Sequence, residues 1–121
     1  MNNTDTYLAV FLGSPTSPRH QAWKAMSDGE RRTKEMEGIA AWKAWMEKHQ
    51  SALVNVGGPL GKTKRISRDG VTDVSNELSA FVVVRAPSHE AAANMFKGHP
   101  HFAIFPGDGV EVMPLLPIPG H

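Results

Sequence analysis

The chain has no cysteine, little excess of either charge, and only short apolar runs. Without cysteine it contains no disulfide scaffold, cysteine zinc site, thiol redox centre or cysteine nucleophile. Its 13 Lys and Arg against 12 Asp and Glu give a formal net charge of +1, too small for a surface that neutralises a phosphate backbone. We therefore expect no nucleic-acid partner.

The apolar run Tyr7–Leu12 near the N-terminus is much shorter than the roughly 20 residues that a membrane-spanning helix needs. A signal peptide has positively charged residues before its apolar run, whereas this run is preceded by Asp5 and by no Lys or Arg. We interpret the run as a buried strand and expect a cytoplasmic protein without membrane contact. With 121 residues, of which 40% are apolar, we expect a single domain with its own core.

Two helices are predicted from capping and periodicity. Ser27 followed by Glu30 forms a capping-box pattern, so the first helix is predicted from about Asp28 to about His49. Gly38 on its inner face is expected to permit close approach to a sheet. One broad face of this helix carries Gly38, Ile39, Trp42, Trp45 and Met46. The second helix is predicted from Ser88 to about Lys97, with Gly98 as its left-handed cap.

The remaining segments predict strands, a loop and a hairpin. Gly13–Pro18 is predicted to be a surface loop because it contains two prolines. Arg68-Asp69-Gly70 predicts a hairpin turn between charged strands at 64–67 and 71–74. The other predicted strands are Tyr7–Leu12, Ala52–Val56, Leu78–Arg85 and Gly109–Met113.

The predicted order is β-α-β, hairpin, β-α-β. This order indicates an α+β, ferredoxin-like sandwich in which both helices cover one face of an antiparallel sheet. Both sets of alternating residues in Tyr7–Leu12 are apolar, so the uncovered face is also apolar. We therefore expect a homodimer in which a second copy covers that face.

The sequence also resembles a known family. The resemblance rests on the Gly57-Gly58-Pro59-Leu60 turn, the charged hairpin ending at Asp73, the segment Gly98-His99-Pro100, and the final Val110-Glu111-Val112-Met113-Pro114. Together these are similar to the YCII-related family, known for its DGPF motif, whose members form dimeric α+β barrels. The resemblance spans almost the whole chain and implies one YCII-like domain over residues 1–121.

The resemblance carries a set of site expectations. Asp73 occupies the position of the motif's Asp, whereas Val74, Ser75 and Asn76 replace its Gly-Pro-Phe. Some members have a His on the first helix and an Asp just before the proline that follows the second helix. In this chain Ala41 or Trp42 falls at the His position and His99 stands at the Asp position.

His99-Pro100-His101 is the densest group of titratable side chains, with Asp108 nearby. On an extended segment the two rings would point to one side and bind a divalent metal together with a carboxylate. A second interpretation makes His99 a proton-handling group, since imidazole titrates close to neutral pH. The third is a loop histidine that only binds backbone atoms. We assign His99 as a catalytic residue, His101 as a ligand contact, and no metal.

Two further residues are predicted to be catalytic, and one to contact a ligand. Glu35 is placed on the apolar face of the first helix, where a desolvated carboxylate would suit a general base, although carboxylates near helix starts are often solvated. Asp73 is assigned as catalytic, and an enzyme would have it converge with His99 on a cavity, whereas a noncatalytic protein would not. Trp42 is interpreted as a core anchor and as a ligand contact.

Two functions follow from these assignments. The first is a cofactor-independent enzyme of lyase, isomerase or hydrolase type, acting on a small molecule in a cavity between the first helix and the sheet. The second is a noncatalytic ligand-binding or accessory dimer.

Overall fold

The computed structural model describes residues 5–120, which form six strands and four α-helices. The strands are β1 (Thr6–Leu12), β2 (Leu53–Pro59), β3 (Thr63–Ser67), β4 (Gly70–Val74), β5 (Leu78–Arg85) and β6 (Gly109–Pro114). The helices are α1 (Pro18–Ala25), α2 (Asp28–Lys48), α3 (His89–Asn94) and α4 (Pro100–Ala103), and a 3-10 turn lies at Gln50–Ala52. Among residues 5–120, no helix has the length and apolar character needed to cross a bilayer.

Four strands form the main sheet in the order β2-β5-β1-β6, with antiparallel pairing throughout. The two central strands pair in a regular register from Thr6↔Arg85 to Phe11↔Ala80. This order places the first and third strands of a β-α-β-β-α-β fold in the middle, as in ferredoxin-like proteins. The predicted α+β class and antiparallel sheet are confirmed.

The core lies on one face of the main sheet. Along β1, Tyr7, Ala9 and Phe11 are buried because they pack against residues that include Trp45 of α2 and Phe96 in the turn after α3. The alternate residues of β1 point to the opposite face and are partly exposed. The sheet therefore has one covered face and one partly open face.

Helix α2 closely matches its prediction. The Ser27 hydroxyl accepts from the Glu30 amide at 3.2 Å and donates to the Glu30 carboxylate at 3.0 Å, which caps the first turn. The expectation that Gly38 approaches the sheet is wrong. A Cβ at Gly38 would lie 2.4 Å from the Phe105 ring, so this glycine lets the segment after α4 pack against α2.

The sequence did not predict α1 or α4. Each begins with a proline at its first position, Pro18 or Pro100, where no backbone N–H is needed. Ser17 caps α1 and His99 caps α4 by accepting hydrogen bonds from backbone amides. The expectation of an extended segment at His99–His101 is therefore wrong, because these residues begin a helix.

Strands β3 and β4 form a separate two-stranded ribbon, as the Asp-Gly turn predicted. Gly70 has a φ of 112°, a left-handed conformation that glycine adopts readily. Asp73 lies on this ribbon opposite Lys64.

Candidate functional site

An open cavity lies between α2 and the β2–β5 side of the main sheet. Its volume is about 460 Å³, within the range of small-molecule sites. Its lining is almost wholly apolar and includes the aromatic residues Phe11, Trp42, Trp45, Phe81 and Phe105. The position between the first long helix and the sheet is the one expected from the sequence.

An irregularity in β2 shapes the sheet side of this cavity. Three residue steps from Asn55 to Gly58 face only two from Val83 to Phe81, so β2 bulges. Gly57 adopts a φ of 64° within the bulge, and a Cβ there would lie 1.8 Å from the Phe81 carbonyl oxygen. Only glycine fits this position, and the Gly-Gly-Pro-Leu turn thus has a structural role beside the cavity.

Three of the lining residues, Phe11, Trp42 and Trp45, also contact His99, and we refer to them as the aromatic wall. Their ring centroids lie 4.6 to 4.9 Å from the His99 ring, each in an edge-on arrangement. His99 is fully buried and is not among the residues that line the cavity. It therefore lies one layer behind the cavity surface.

A hydrogen bond to the His99 ring determines which of its two nitrogens carries the proton when the ring is neutral. Its Nδ1 accepts a 3.0 Å hydrogen bond from the backbone amide of His101, so this nitrogen carries no proton. The proton of the neutral ring must then be on Nε2. Within residues 5–120, this buried Nε2 has no hydrogen-bond partner. The edge-on aromatic rings around it offer only weak N–H···π contacts.

Burial also sets the charge of His99. Its pKa is lowered from 6.5 to about 4, mainly by desolvation and to a smaller extent by the neighbouring His101 and His49. The ring is consequently neutral near pH 7. In this state Nε2–H is a hydrogen-bond donor, so the group is suited to stabilise negative charge and unsuited to act as a general base.

His101 is also buried but has partners for its ring. Its Nε2 donates to the Leu12 carbonyl at 2.7 Å, and the ring packs against Gly107, where a Cβ would lie 2.3 Å from it. Burial lowers its pKa, Arg19 lowers it further, and the Leu12 hydrogen bond and Asp108 oppose the change. His101 does not line the cavity, so a ligand there meets Trp42 but not His101.

Glu35 and Asp73 lie apart from His99. The expectation of a desolvated Glu35 carboxylate is wrong, because Glu35 is exposed on α2, as the solvated alternative has it. Asp73 is also exposed and pairs with Lys64 Nζ at 2.7 Å on the ribbon. The expected convergence of Asp73 with His99 on a cavity does not occur, because the ribbon is a sheet of its own and His99 is in the core.

The residues considered for a metal have other partners. Asp108 accepts from the Ser14 amide at 2.8 Å, and His101 Nε2 is bonded to Leu12. Over residues 5–120, no group of three or more His, Asp or Glu side chains is arranged to hold a metal ion.

Of the lining residues, only Trp42 was predicted to contact a ligand, and Lys43 and Phe105 were not considered for any role. The signal for Lys43 was its spacing, since it lies four residues after Ile39 and three before Met46 and so shares their side of the helix. The signal for Phe105 was weaker. Its approach to α2 depends on Gly38, which the sequence analysis assigned to the sheet contact.

Comparisons with known proteins show a related fold. No known protein family matches the chain, and no curated protein does. Among solved structures, the chain is similar to 5-chloro-2-hydroxyhydroquinone dehydrochlorinase from Burkholderia phenoliruptrix AC1100, in complex with 2,5-dihydroxybenzoquinone. The TM-score is 0.54 at 15% sequence identity, over 91% of this chain and 92% of that one. At this identity the likeness shows the fold alone, an α+β fold of the ferredoxin-like type.

Proposed function

We propose that this protein binds a small aromatic molecule in the cavity between α2 and the sheet. The observation that carries the proposal is the cavity itself, which is open, apolar and walled by aromatic side chains. Such a lining favours flat apolar ligands through burial of their surface and through offset or edge-on ring contacts. The structurally similar dehydrochlorinase is described with 2,5-dihydroxybenzoquinone, a ring compound of this size class.

The test fills the cavity without removing any side chain of the aromatic wall. Ala80 lines the cavity, so Ala80→Leu should reduce the thermal stabilisation that a panel of one- and two-ring aromatic compounds gives to the wild-type protein. Ala44→Leu adds the same side chain at an exposed position of α2 and should leave that stabilisation unchanged. Equal stabilisation of both variants, or none of the wild type, would exclude the cavity as the binding site.

A second function, cofactor-independent catalysis, is supported by the unpartnered Nε2 of His99. In this proposal Nε2–H donates to an oxygen of the ligand as negative charge develops there. His99→Asn keeps an acceptor for the His101 amide and removes the ring donor. It should abolish turnover of a bound compound while retaining its binding, and retained turnover would leave the noncatalytic binding function alone.

We also propose that residues 1–121 form one domain of the YCII-related type and that two copies pair through their open sheet faces. The support is the partly exposed apolar side chains of Leu8, Val10 and Val83 on that face, with Met113 beside Leu8. A stable pair should bury more than about 1,000 Å². Sedimentation at micromolar concentration should show twice the 13.2 kDa chain mass, and a monomer would contradict the dimer.

A further inference from the structure

Lys43 is the only charged side chain among the described residues that line the cavity. It lies on α2 with Ile39, Trp42 and Met46, at the spacing that places side chains on one side of a helix. The ammonium group therefore extends from the same helix side that supplies the apolar wall. A ligand in contact with Trp42 lies within reach of a lysine side chain one residue along.

Within the described part of the chain, the ammonium group of Lys43 forms no ion pair. The ion pairs there join Arg31 to Asp28, Lys64 to Asp73, and Arg85 to Asp5. None of them includes Lys43, although Glu47 follows it by one helical turn. Lys43 is exposed beside the apolar lining residues, and its charge there favours an anionic ligand over a neutral one and disfavours a cationic one.

We propose that the natural ligand of the cavity is an aromatic anion, whose ring contacts Trp42 and whose negative group pairs with Lys43 Nζ. The inference rests on the ligand-binding function proposed above and adds the class of ligand. An aromatic carboxylate and a phenolate both have this chemistry. Lys43 is a specificity-determining residue in this account, because it selects the charge of the ligand while the aromatic side chains select its shape.

The test compares matched probes by calorimetry on the full chain. 2-Naphthoate should bind the wild-type protein about fivefold more tightly than the neutral 2-naphthamide, the value of one partly exposed ion pair. Lys43→Gln should remove this preference by weakening naphthoate alone, and Lys43→Arg should retain it. Lys48→Gln, on the same helix but outside the cavity lining, is the matched control and should behave as wild type.

A second pair of probes tests the phenolate. 4-Nitrophenol should bind more tightly at about pH 8.5, as the phenolate, than at about pH 6, whereas the neutral 4-nitroanisole should bind equally at both. A Lys43-dependent preference in the naphthoate arm alone assigns a carboxylate, and one in the nitrophenol arm alone assigns a phenolate. Either result supports the aromatic anion.

The outcomes distinguish a failure of this inference from a failure of the proposed binding function. If neither the naphthoate pair nor the nitrophenol arm shows a preference for the anion, or if Lys43→Gln keeps every preference, the role of Lys43 is overturned while the cavity remains a binding site. If none of the aromatic probes binds the wild type, the binding function is overturned and the inference with it.

Discussion

The two sides of the aromatic wall differ in their open volume and in the titratable residues they contain. On one side is an open cavity of about 460 Å³ with a single charged residue, Lys43, among its described lining residues. On the other are His99 and His101, buried and packed against aromatic rings. The cavity has open volume for a ligand but almost no titratable side chains. The histidine side has titratable side chains but no open volume beside them.

The comparison shows that the open cavity and the buried histidines occupy separate layers of this fold. A ligand in the cavity meets the faces and edges of Phe11, Trp42 and Trp45 before it meets His99. Any reaction at His99 Nε2 therefore requires the aromatic wall to move. Binding alone requires no such movement, which is why the structure supports ligand binding more directly than catalysis.

The largest effect on stability is expected from Trp42→Ala, because Trp42 lines the cavity and also contacts His99. Trp42 contacts Phe11, His99 and Phe105, and its removal should lower the free energy of unfolding by about 3–5 kcal/mol. Urea denaturation measures this loss. The variant should also expose His99 to modification by diethylpyrocarbonate. Trp42→Phe, which keeps a ring in the wall, should lose much less, and an unchanged stability of Trp42→Ala would mean that the wall does not anchor the core.

The next largest effect is a pH dependence that comes from the histidine side. The unfolded chain binds a proton at His99 as the pH falls through 6.5, whereas the folded chain does so only near pH 4. The free energy of unfolding should therefore decrease between these values by up to about 3 kcal/mol from His99 alone.

His99→Asn isolates this contribution, because the lowered pKa of His101 remains in both proteins. Denaturation at about pH 4.5 and about pH 7.5 should show a smaller difference for the variant than for the wild type. His20→Asn, in α1, is the control. The same pH dependence in the wild type and His99→Asn would mean that His99 is already solvated in the fold.

On the cavity side, Gly57→Ala should cost about 2–3 kcal/mol. The methyl group would meet the Phe81 carbonyl oxygen, and the φ of 64° is unfavourable for alanine. The neighbouring Gly58→Ala is the matched control, since nothing lies within 4 Å of its Cβ position. We expect Gly57→Ala to weaken aromatic binding as well, because the β2 bulge shapes the cavity. Equal melting temperatures for the two variants would contradict the requirement for glycine at position 57.

The sequence predicted the sheet better than the site, for physical reasons. Strand Leu78–Arg85 and the start of α2 were recognisable because β-branched runs and a capping box are local signals. Helices α1 and α4 were missed because proline normally disfavours a helix, yet at the first position it favours one. Whether His99 is buried or Glu35 is exposed depends on packing between distant segments, which spacing along the chain does not encode.

The smallest effects are expected from the two exposed carboxylates, which belong to neither side of the wall. Glu35→Gln and Asp73→Asn should each change the free energy of unfolding by less than about 1 kcal/mol, since the Lys64–Asp73 pair is solvent-exposed. Neither should alter the affinity for 2-naphthoate or the pH dependence that His99 produces. A marked loss of naphthoate binding in Asp73→Asn would show that the ribbon reaches a cavity, for instance the cavity of a second copy. The binding site would then include residues beyond the two sides of the aromatic wall in one chain.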